Sequence, residues 1–324
     1  MPLILHTARY TGEPLDILKK ACPEGYTVKT LDELSYDCLL REAPGADYFL
    51  VSGRLPIDGR LLDAAPRLKM IQRTGVGTEM LDRNAISSRG IPVYVNSGVN
   101  ARSVAEHTLL LILASLKRLP QVNGQMHRGV WKKQQTGVSC NELFGKTVGL
   151  VGMGNIGRLV ASMLQPFGCK VLYTDVYRQS TEVEDRLGLT YSAGFEDMLP
   201  ELDILSFHCP LTDDNREILN ARTLAMMKDG AIVVNTARGK LINPDDLYDA
   251  LVSGHLKAAA LDTHYEEPVG EEYRLAELDN VILTPHIGGL SYEAFESMLI
   301  AAMANIKAFE EGRLSEIDNK KLSL

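Results

Sequence analysis

The sequence predicts an α/β protein of two doubly wound parallel-sheet domains, one inserted into the other. Three observations carry this expectation. Short apolar runs alternate with helix-period segments through both halves of the chain, as parallel strands joined by crossover helices require. A glycine-rich turn, Gly152-Met-Gly-Asn-Ile-Gly157, follows an apolar run and opens a helical pattern near the middle of the 324 residues, not after the first strand. A last helical stretch, 291–311, lies beyond the final strand of the second half and reads as a return crossing to the first.

Composition bounds what such a protein does. A length of 324 residues suits two separate cores, and an apolar fraction of 45% with 23% charged residues is ordinary for a globular chain. A net charge of -8 argues against a nucleic-acid or acidic-membrane partner. The five cysteines, Cys22, Cys38, Cys140, Cys169 and Cys209, are odd in number and lack any C-x-x-C spacing. They fit a reducing cytoplasm and offer no metal framework. The opening Met1-Pro-Leu-Ile-Leu-His6 lacks the cationic-then-apolar pattern of a signal peptide, and the densest apolar stretch, 108–116, is too short to span a bilayer.

In the first hundred residues, strands are expected at 3–6, 26–30, 48–52, 69–72 and 91–95, with helices at 15–20, 31–41, 58–65 and 80–88. No phosphate-binding turn follows the first strand, so this half is read as an α/β domain without a nucleotide of its own. Ser103 and Glu106 have capping-box spacing, which puts a helix start near Val104. The helix is apolar almost all round from 104 through 116, so burial on several sides is expected, between domains or between subunits. Segment 119–143, with the single tryptophan Trp131, reads as an irregular arm, or as a solvent loop with Trp131 packed underneath. The alternation then resumes. Strands are expected at 147–151, 170–174, 204–208, 231–235, 258–261 and 281–283, and helices at 156–167, 195–199, 221–227 and 244–253. The tail 319–324 is expected to be loosely held.

The glycine turn is the first chemical signal. Gly152, Gly154 and Gly157 let the backbone approach a pyrophosphate, which then sits on the helix amino end and is served by the backbone of Asn155 and Ile156. Asp175 ends the next strand, 18 residues beyond Gly157. A carboxylate there can accept from both ribose hydroxyls and would repel a 2′-phosphate, so NAD is favoured over NADP. Arg178 is the counter-signal, because an arginine can serve a 2′-phosphate. Further along, three strand ends carry Arg238 before Gly239, Asp262 and the Glu266-Glu267 pair, and His286. An open α/β sheet binds ligands at its strand carboxyl ends. There an arginine can fork onto a carboxylate, and a histidine held by a carboxylate can exchange a proton near neutral pH.

These motifs in this order resemble the D-isomer-specific 2-hydroxyacid dehydrogenase family over essentially the whole chain. The resemblance rests on Gly152-Met-Gly-Asn-Ile-Gly157, His208-Cys-Pro-Leu-Thr212, the run 227–239 ending Asn235-Thr-Ala-Arg-Gly239, residues 262–268, and Thr284-Pro-His-Ile-Gly-Gly289. Arg73-Thr-Gly-Val-Gly77 and the run 100–106 match as well, and Asp229 departs from the usual proline at a turn position. The resemblance implies a Rossmann-type NAD-binding domain, 100–289, inserted into a flavodoxin-like substrate domain, 1–99 with 290–324. It implies that Arg238 binds the substrate carboxylate, that His286 is the acid/base, and that Glu267 is paired to it. Asp262 would orient the nicotinamide carboxamide. Pro210, Thr236, Ala237, Gly288 and Val104 would line the cofactor, and the amides of Val76 and Gly77 would help hold the carboxylate.

His208 is expected to be structural or cofactor-lining, and His107 and His264 to be packing or surface residues. The substrate is a small 2-hydroxy or 2-keto acid; phosphoglycerate, glyoxylate or hydroxypyruvate, lactate and branched acids all remain open. Arg54, in Ser52-Gly-Arg54, is the one cation offered to a phosphorylated substrate in that loop. A homodimer through the 100–145 helix and arm is expected. The reading from another class is an NAD-sensing scaffold of the same fold.

Overall fold

The computed structural model describes residues 1–53 and 55–323. The chain separates into two compact units, Met1–Asn100 with Ser291–Leu324, and Ala101–Leu290. In the first unit five parallel strands, β1 (Leu3–His6), β2 (Thr27–Thr30), β3 (Tyr48–Val51), β4 (Met70–Arg73) and β5 (Val93–Tyr94), lie in the order β2-β1-β3-β4-β5. This is the flavodoxin-like order, whose switch point falls between β1 and β3.

All four residues of β3 are fully buried, because helices cover both faces of the sheet. Phe49 and Val51 point into a core with Leu5, Ile71 and Val93. Tyr48 and Leu50 alternate into the opposite core with Ile4, Met70 and Tyr94. Helix Tyr292–Glu310 supplies Leu299, Met303 and Ile306 to that second core, so chain from beyond the second unit completes the first. The helix expected over 31–41 covers only Tyr36–Glu42. The Ser35 side chain caps it, accepting from the Cys38 amide at 3.2 Å.

The tail corrects the expectation of loose attachment. The Val95 amide donates to Lys320 O at 3.0 Å and the Leu322 amide to Val93 O at 2.8 Å, in an antiparallel bridge along the edge strand β5. The apolar side chain of Leu322 packs on the core beneath. Backbone pairing and one half-buried side chain outweigh the polar composition of the segment.

The second unit has seven parallel strands, β6 (Thr147–Val151), β7 (Lys170–Thr174), β8 (Leu189–Tyr191), β9 (Ile204–Phe207), β10 (Ala231–Asn235), β11 (Leu256–Leu261) and β12 (Val281–Leu283). Their order, β12-β11-β10-β9-β6-β7-β8, is the dinucleotide-binding order with a seventh strand added at one edge. Six strands were expected. The strand added to the dinucleotide-binding order is β12; the one not expected, β8, is three residues long and half-exposed, too short to show an apolar run, and it follows a charged helix, Thr181–Leu187, that also went unread.

Helix Ala101–Lys117 starts three residues before the expected position. The Ser103 hydroxyl is not a cap; it donates to Gly288 O at 2.9 Å. Ala105, Leu111, Ile112 and Leu116 join Val148, Leu150 and Val234 in this unit's own core, while Leu110 stays exposed. The arm is not irregular. It forms helices Leu119–His127 and Lys133–Gly137, the first after a left-handed Arg118 and with Pro120 in its first turn, where a proline fits. Trp131 is 75% exposed, so it is not packed underneath.

Candidate active site

The glycine turn leaves β6 at the switch point between β6 and β9, and each glycine has a different reason to be there. Gly152 has φ +98°, and a Cβ on it would lie 2.7 Å from the Cys209 amide nitrogen. A Cβ on Gly157 would lie 2.2 Å from Gly152 O, so helix Asn155–Leu164 could not pack so closely on the turn. A Cβ on Gly154 would meet nothing within 4 Å. That space lies at the start of a helix whose N-cap, Gly154 itself, makes no side-chain capping bond. Asn155 and Ile156 form the first turn there, so open room and amide donors coincide, and the cradle fits a pyrophosphate.

Asp175 stands at the end of β7. Its Oδ2 accepts from the Met153 amide at 2.6 Å and its Oδ1 from the Tyr177 amide at 3.0 Å, which ties the carboxylate to the glycine turn. Arg178 is turned to another task. Its guanidinium forks onto Glu184 with two bonds of 2.9 Å and lies over the Tyr191 ring. The Tyr173 hydroxyl also donates to Glu184, at 2.6 Å. These hydrogen bonds from Arg178 and Tyr173 hold the Glu184 carboxyl down at about 2. The counter-signal for a 2′-phosphate is thereby removed.

Arg238, Asp262, Glu267 and His286 come together because β10, β11 and β12 are neighbours and their carboxyl ends share one edge. His286 Nδ1 lies 2.9 Å from Glu267 Oε2. A carboxylate only accepts, so Nδ1 carries the proton and Nε2 is left to exchange one. The His286 side chain is 43% exposed and that of Glu267 18%. His286 has a left-handed backbone, φ +57°, rare for a residue with a side chain and held here by its amide donating to Asp262 O at 2.8 Å. The other Glu267 oxygen accepts from the His264 amide at 2.8 Å.

His264 is buried. Its Nε2 is 2.9 Å from Thr284 O, which only accepts, and its Nδ1 is 3.1 Å from the Tyr273 hydroxyl. It is therefore a packing residue that also braces the acid/base turn. Asp262, 1% exposed, braces the same turn: it accepts from the Thr284 hydroxyl at 2.6 Å and from the Ile287 and Gly288 amides at 2.9 and 2.8 Å. His107 Nε2 lies 3.5 Å from it. Burial alone would raise the Asp262 pKa, but the hydrogen bonds from His107, Thr284, Gly288 and Ile287 outweigh it and bring it to about 2.

Arg238 is half-buried, with Nη1 donating to Ala237 O at 2.7 Å. Asn235 shapes its turn, accepting from the Ala237 amide at 3.0 Å and donating to Arg238 O at 2.8 Å. The Thr108 hydroxyl donates to Val104 O at 2.8 Å, so Thr236, 2.9 Å away, must donate to Thr108; this pins Val104 and Thr236 beside each other. Pro210 is exposed after β9, and its carbonyl accepts from Asn215. His208 is set against Ser206 at 3.0 Å, and its Nδ1 is buried without a partner among the described residues. Burial lowers its pKa to about 3, which leaves it neutral and unsuited to proton exchange near neutral pH.

Thr284, Asn235 and Thr108 were given no role from the sequence, and His107 was read only as a packing or surface residue, whereas it lies 3.0 Å from the Thr284 hydroxyl. Each acts by holding a neighbour, and nothing in the chain order marks such partners. Val76, 51% exposed, and Gly77 follow β4 in the first unit. Arg54 lies outside the described residues. Among the described residues no group of three or more His, Cys, Asp or Glu could hold a metal, and no helix is long and apolar enough to cross a membrane.

Residues 109–288 match the family model described as "D-isomer specific 2-hydroxyacid dehydrogenase, NAD binding domain". Glyoxylate reductase of Aeropyrum pernix is 36% identical over 97% of this chain and 94% of its own length. The D-3-phosphoglycerate dehydrogenase of Mycobacterium tuberculosis is 38% identical over 82% of this chain, which spans only 50% of that protein. A D-lactate dehydrogenase from Aquifex aeolicus, solved with NAD and lactic acid, superposes with a TM-score of 0.83 at 27% identity, covering 99% of this chain and 98% of that one. The chain belongs to the D-isomer-specific 2-hydroxyacid dehydrogenase family, NAD-dependent oxidoreductases that act on the hydroxyl-bearing carbon of 2-hydroxy acids.

Proposed function

We propose that His286, Glu267 and Arg238 carry the reaction on a small 2-keto or 2-hydroxy acid. The observation that carries this is the 2.9 Å His286–Glu267 pair, which fixes the tautomer that leaves Nε2 to exchange the proton. Glu267 holds the ring in that orientation and tautomer. Arg238 forks onto the substrate carboxylate. NAD, when bound, supplies or accepts the hydride at C2. Gly152, Gly154, Gly157 and the amides of Asn155 and Ile156 hold its pyrophosphate, and Asp175 its adenosine ribose. Val104, Pro210, Thr236, Ala237, Asp262 and Gly288 form the nicotinamide end, Asp262 acting through the turn it braces. A scaffold of this fold that only senses NAD would have no use for a paired acid/base beside an arginine.

His286→Ala should lower kcat for NADH-dependent glyoxylate reduction by about 10²–10⁴-fold while NADH binding stays intact. Wild-type turnover in that variant would remove the acid/base role.

A second copy of the chain is the proposed partner, docking on the arm. Leu119, Met126, Trp131, Val138 and Phe144 are all exposed there, and neither arm helix buries a residue within this chain. Sedimentation of wild type against Trp131→Glu tests this, a monomeric wild type refuting it. All five cysteines are free, which supports a reducing, cytoplasmic location.

A further inference from the structure

Glu217 follows β9 and has a left-handed backbone, φ +51°; among the described residues only Arg118 and His286 share that conformation without being glycine. A side chain persists in it where the surroundings over-determine the residue. The groups that hold Glu217 come from two further strand ends. Its amide donates to Lys240 O at 2.8 Å, in the loop after β10 and two residues beyond Arg238. Its carboxylate accepts from the Tyr265 hydroxyl at 2.6 Å, in the loop after β11, and from Asn243 Nδ2 at 3.1 Å. The bonds from Tyr265 and Asn243 hold the Glu217 carboxyl below its ordinary value, so near neutral pH it only accepts and the tyrosine donates.

β9 and β11 are not neighbours, because β10 lies between them. Adjacent strands are about 4.8 Å apart, so roughly 10 Å separates the two strands. A pair of long side chains closes that distance. The turn after β10 packs against the same tyrosine: a Cβ on Gly239 would collide with the His264–Tyr265 peptide, and the Lys240 ammonium lies over the Tyr265 ring at 5.6 Å.

Tyr265 adjoins the peptide that aims the acid/base pair. The His264 amide donates to one Glu267 oxygen at 2.8 Å, and the other oxygen is 2.9 Å from His286 Nδ1. Fixing the Tyr265 hydroxyl therefore fixes the carboxylate that orients the imidazole.

We propose that Glu217 and Tyr265 are positioning residues that hold the acid/base loop in register with the Arg238 turn. The side-chain link governs the loop after β11 alone. Arg238 is tied to the loop after β9 separately, through the Glu217 amide on Lys240 O. Cutting the side-chain link therefore slows proton transfer and leaves carboxylate binding in place. The inference rests on the reading of His286 and Glu267 as the acid/base pair, and it adds the groups that keep the pair aimed.

The test is NADH-dependent glyoxylate reduction by the full chain, with NADH titration and thermal melting alongside. Tyr265→Phe removes one oxygen and keeps the ring; kcat should fall about tenfold, with the KM for glyoxylate and the NADH affinity within about twofold of wild type. Glu217→Gly should lower kcat likewise yet melt close to wild type, because glycine adopts the left-handed backbone freely. Glu217→Gln, whose carbonyl still accepts from Tyr265, should bring kcat back toward wild type. Wild-type kcat in both Tyr265→Phe and Glu217→Gly, beside a slow His286→Ala, would overturn the inference and leave the acid/base reading standing. A loss confined to KM, or matched by lost NADH binding, would overturn it too, since a general loosening of the unit gives that result. Wild-type turnover in all three variants would overturn both.

Discussion

Replacing Gly239 by alanine tests whether the catalytic edge depends on one close backbone approach. A Cβ at this position would lie 2.0 Å from the carbonyl carbon and oxygen of His264 and 2.5 Å from the Tyr265 amide nitrogen. Contact becomes ordinary at 3.4 Å, so the two segments must part by about 1.4 Å (3.4 − 2.0). Both partners are backbone, so no flexible side chain can yield. Arg238 precedes this glycine, and the His264 amide holds Glu267 at 2.8 Å, so the shift separates the carboxylate fork from the acid/base pair. Forced overpacking costs about 1–3 kcal/mol. For a unit of this size that is a fall in Tm of roughly 3–10 °C. A displacement of about 1 Å at a reacting geometry costs about a hundredfold in rate. Differential scanning calorimetry and steady-state kinetics with glyoxylate read the two effects. A variant that melts within about 1 °C of wild type and turns over within about twofold would refute the reasoning.

Gly154→Ala should melt like wild type, because its Cβ meets nothing, yet titrate NADH at least about tenfold more weakly by fluorescence; Gly157→Ala should instead lose stability. Undiminished NADH affinity in Gly154→Ala would place the pyrophosphate elsewhere. Asp175→Ala should lower NADH affinity without admitting NADPH, because Arg178 stays forked onto Glu184; only Asp175→Ala combined with Glu184→Gln should bind NADPH measurably. NADPH binding by the single variant would show that Arg178 is not so engaged. Asp262 is ionised at about 2 when folded and at 3.8 in an unfolded chain. Its stabilising contribution, on the order of 2 kcal/mol, is therefore present above pH 4 and lost as pH falls toward 2. Urea melts of wild type and Asp262→Asn should differ at pH 5 and converge with acid; a gap that persists at pH 2 would assign it to another group. Arg238→Lys should raise KM and lower kcat for 2-keto acids through loss of the bidentate fork, and unchanged constants would refute that role.

The sequence by itself determined the alternation of strand and helix, the inserted order of the two units, the glycine turn with Asp175 behind it, and the strand-end positions of Arg238, Asp262, Glu267 and His286. These are properties of local pattern: side-chain period, turn glycines, and chemistry placed where a parallel sheet exposes its carboxyl ends. What pattern could not supply was partnership across the chain. Ser103 has the spacing of a cap but bonds to Gly288, 185 residues away. Arg178 reads as a phosphate ligand until Glu184 takes it. The tail 319–324 reads as loose until the edge of β5 pairs with residues 320–322. β8 is too short to declare itself, and the bracing of His286 by Asp262, Thr284 and His264 depends on three strand ends meeting. Hydrogen bonds of this kind are decided by which groups the folded backbone brings within about 3 Å, and that distance is written in the tertiary structure alone.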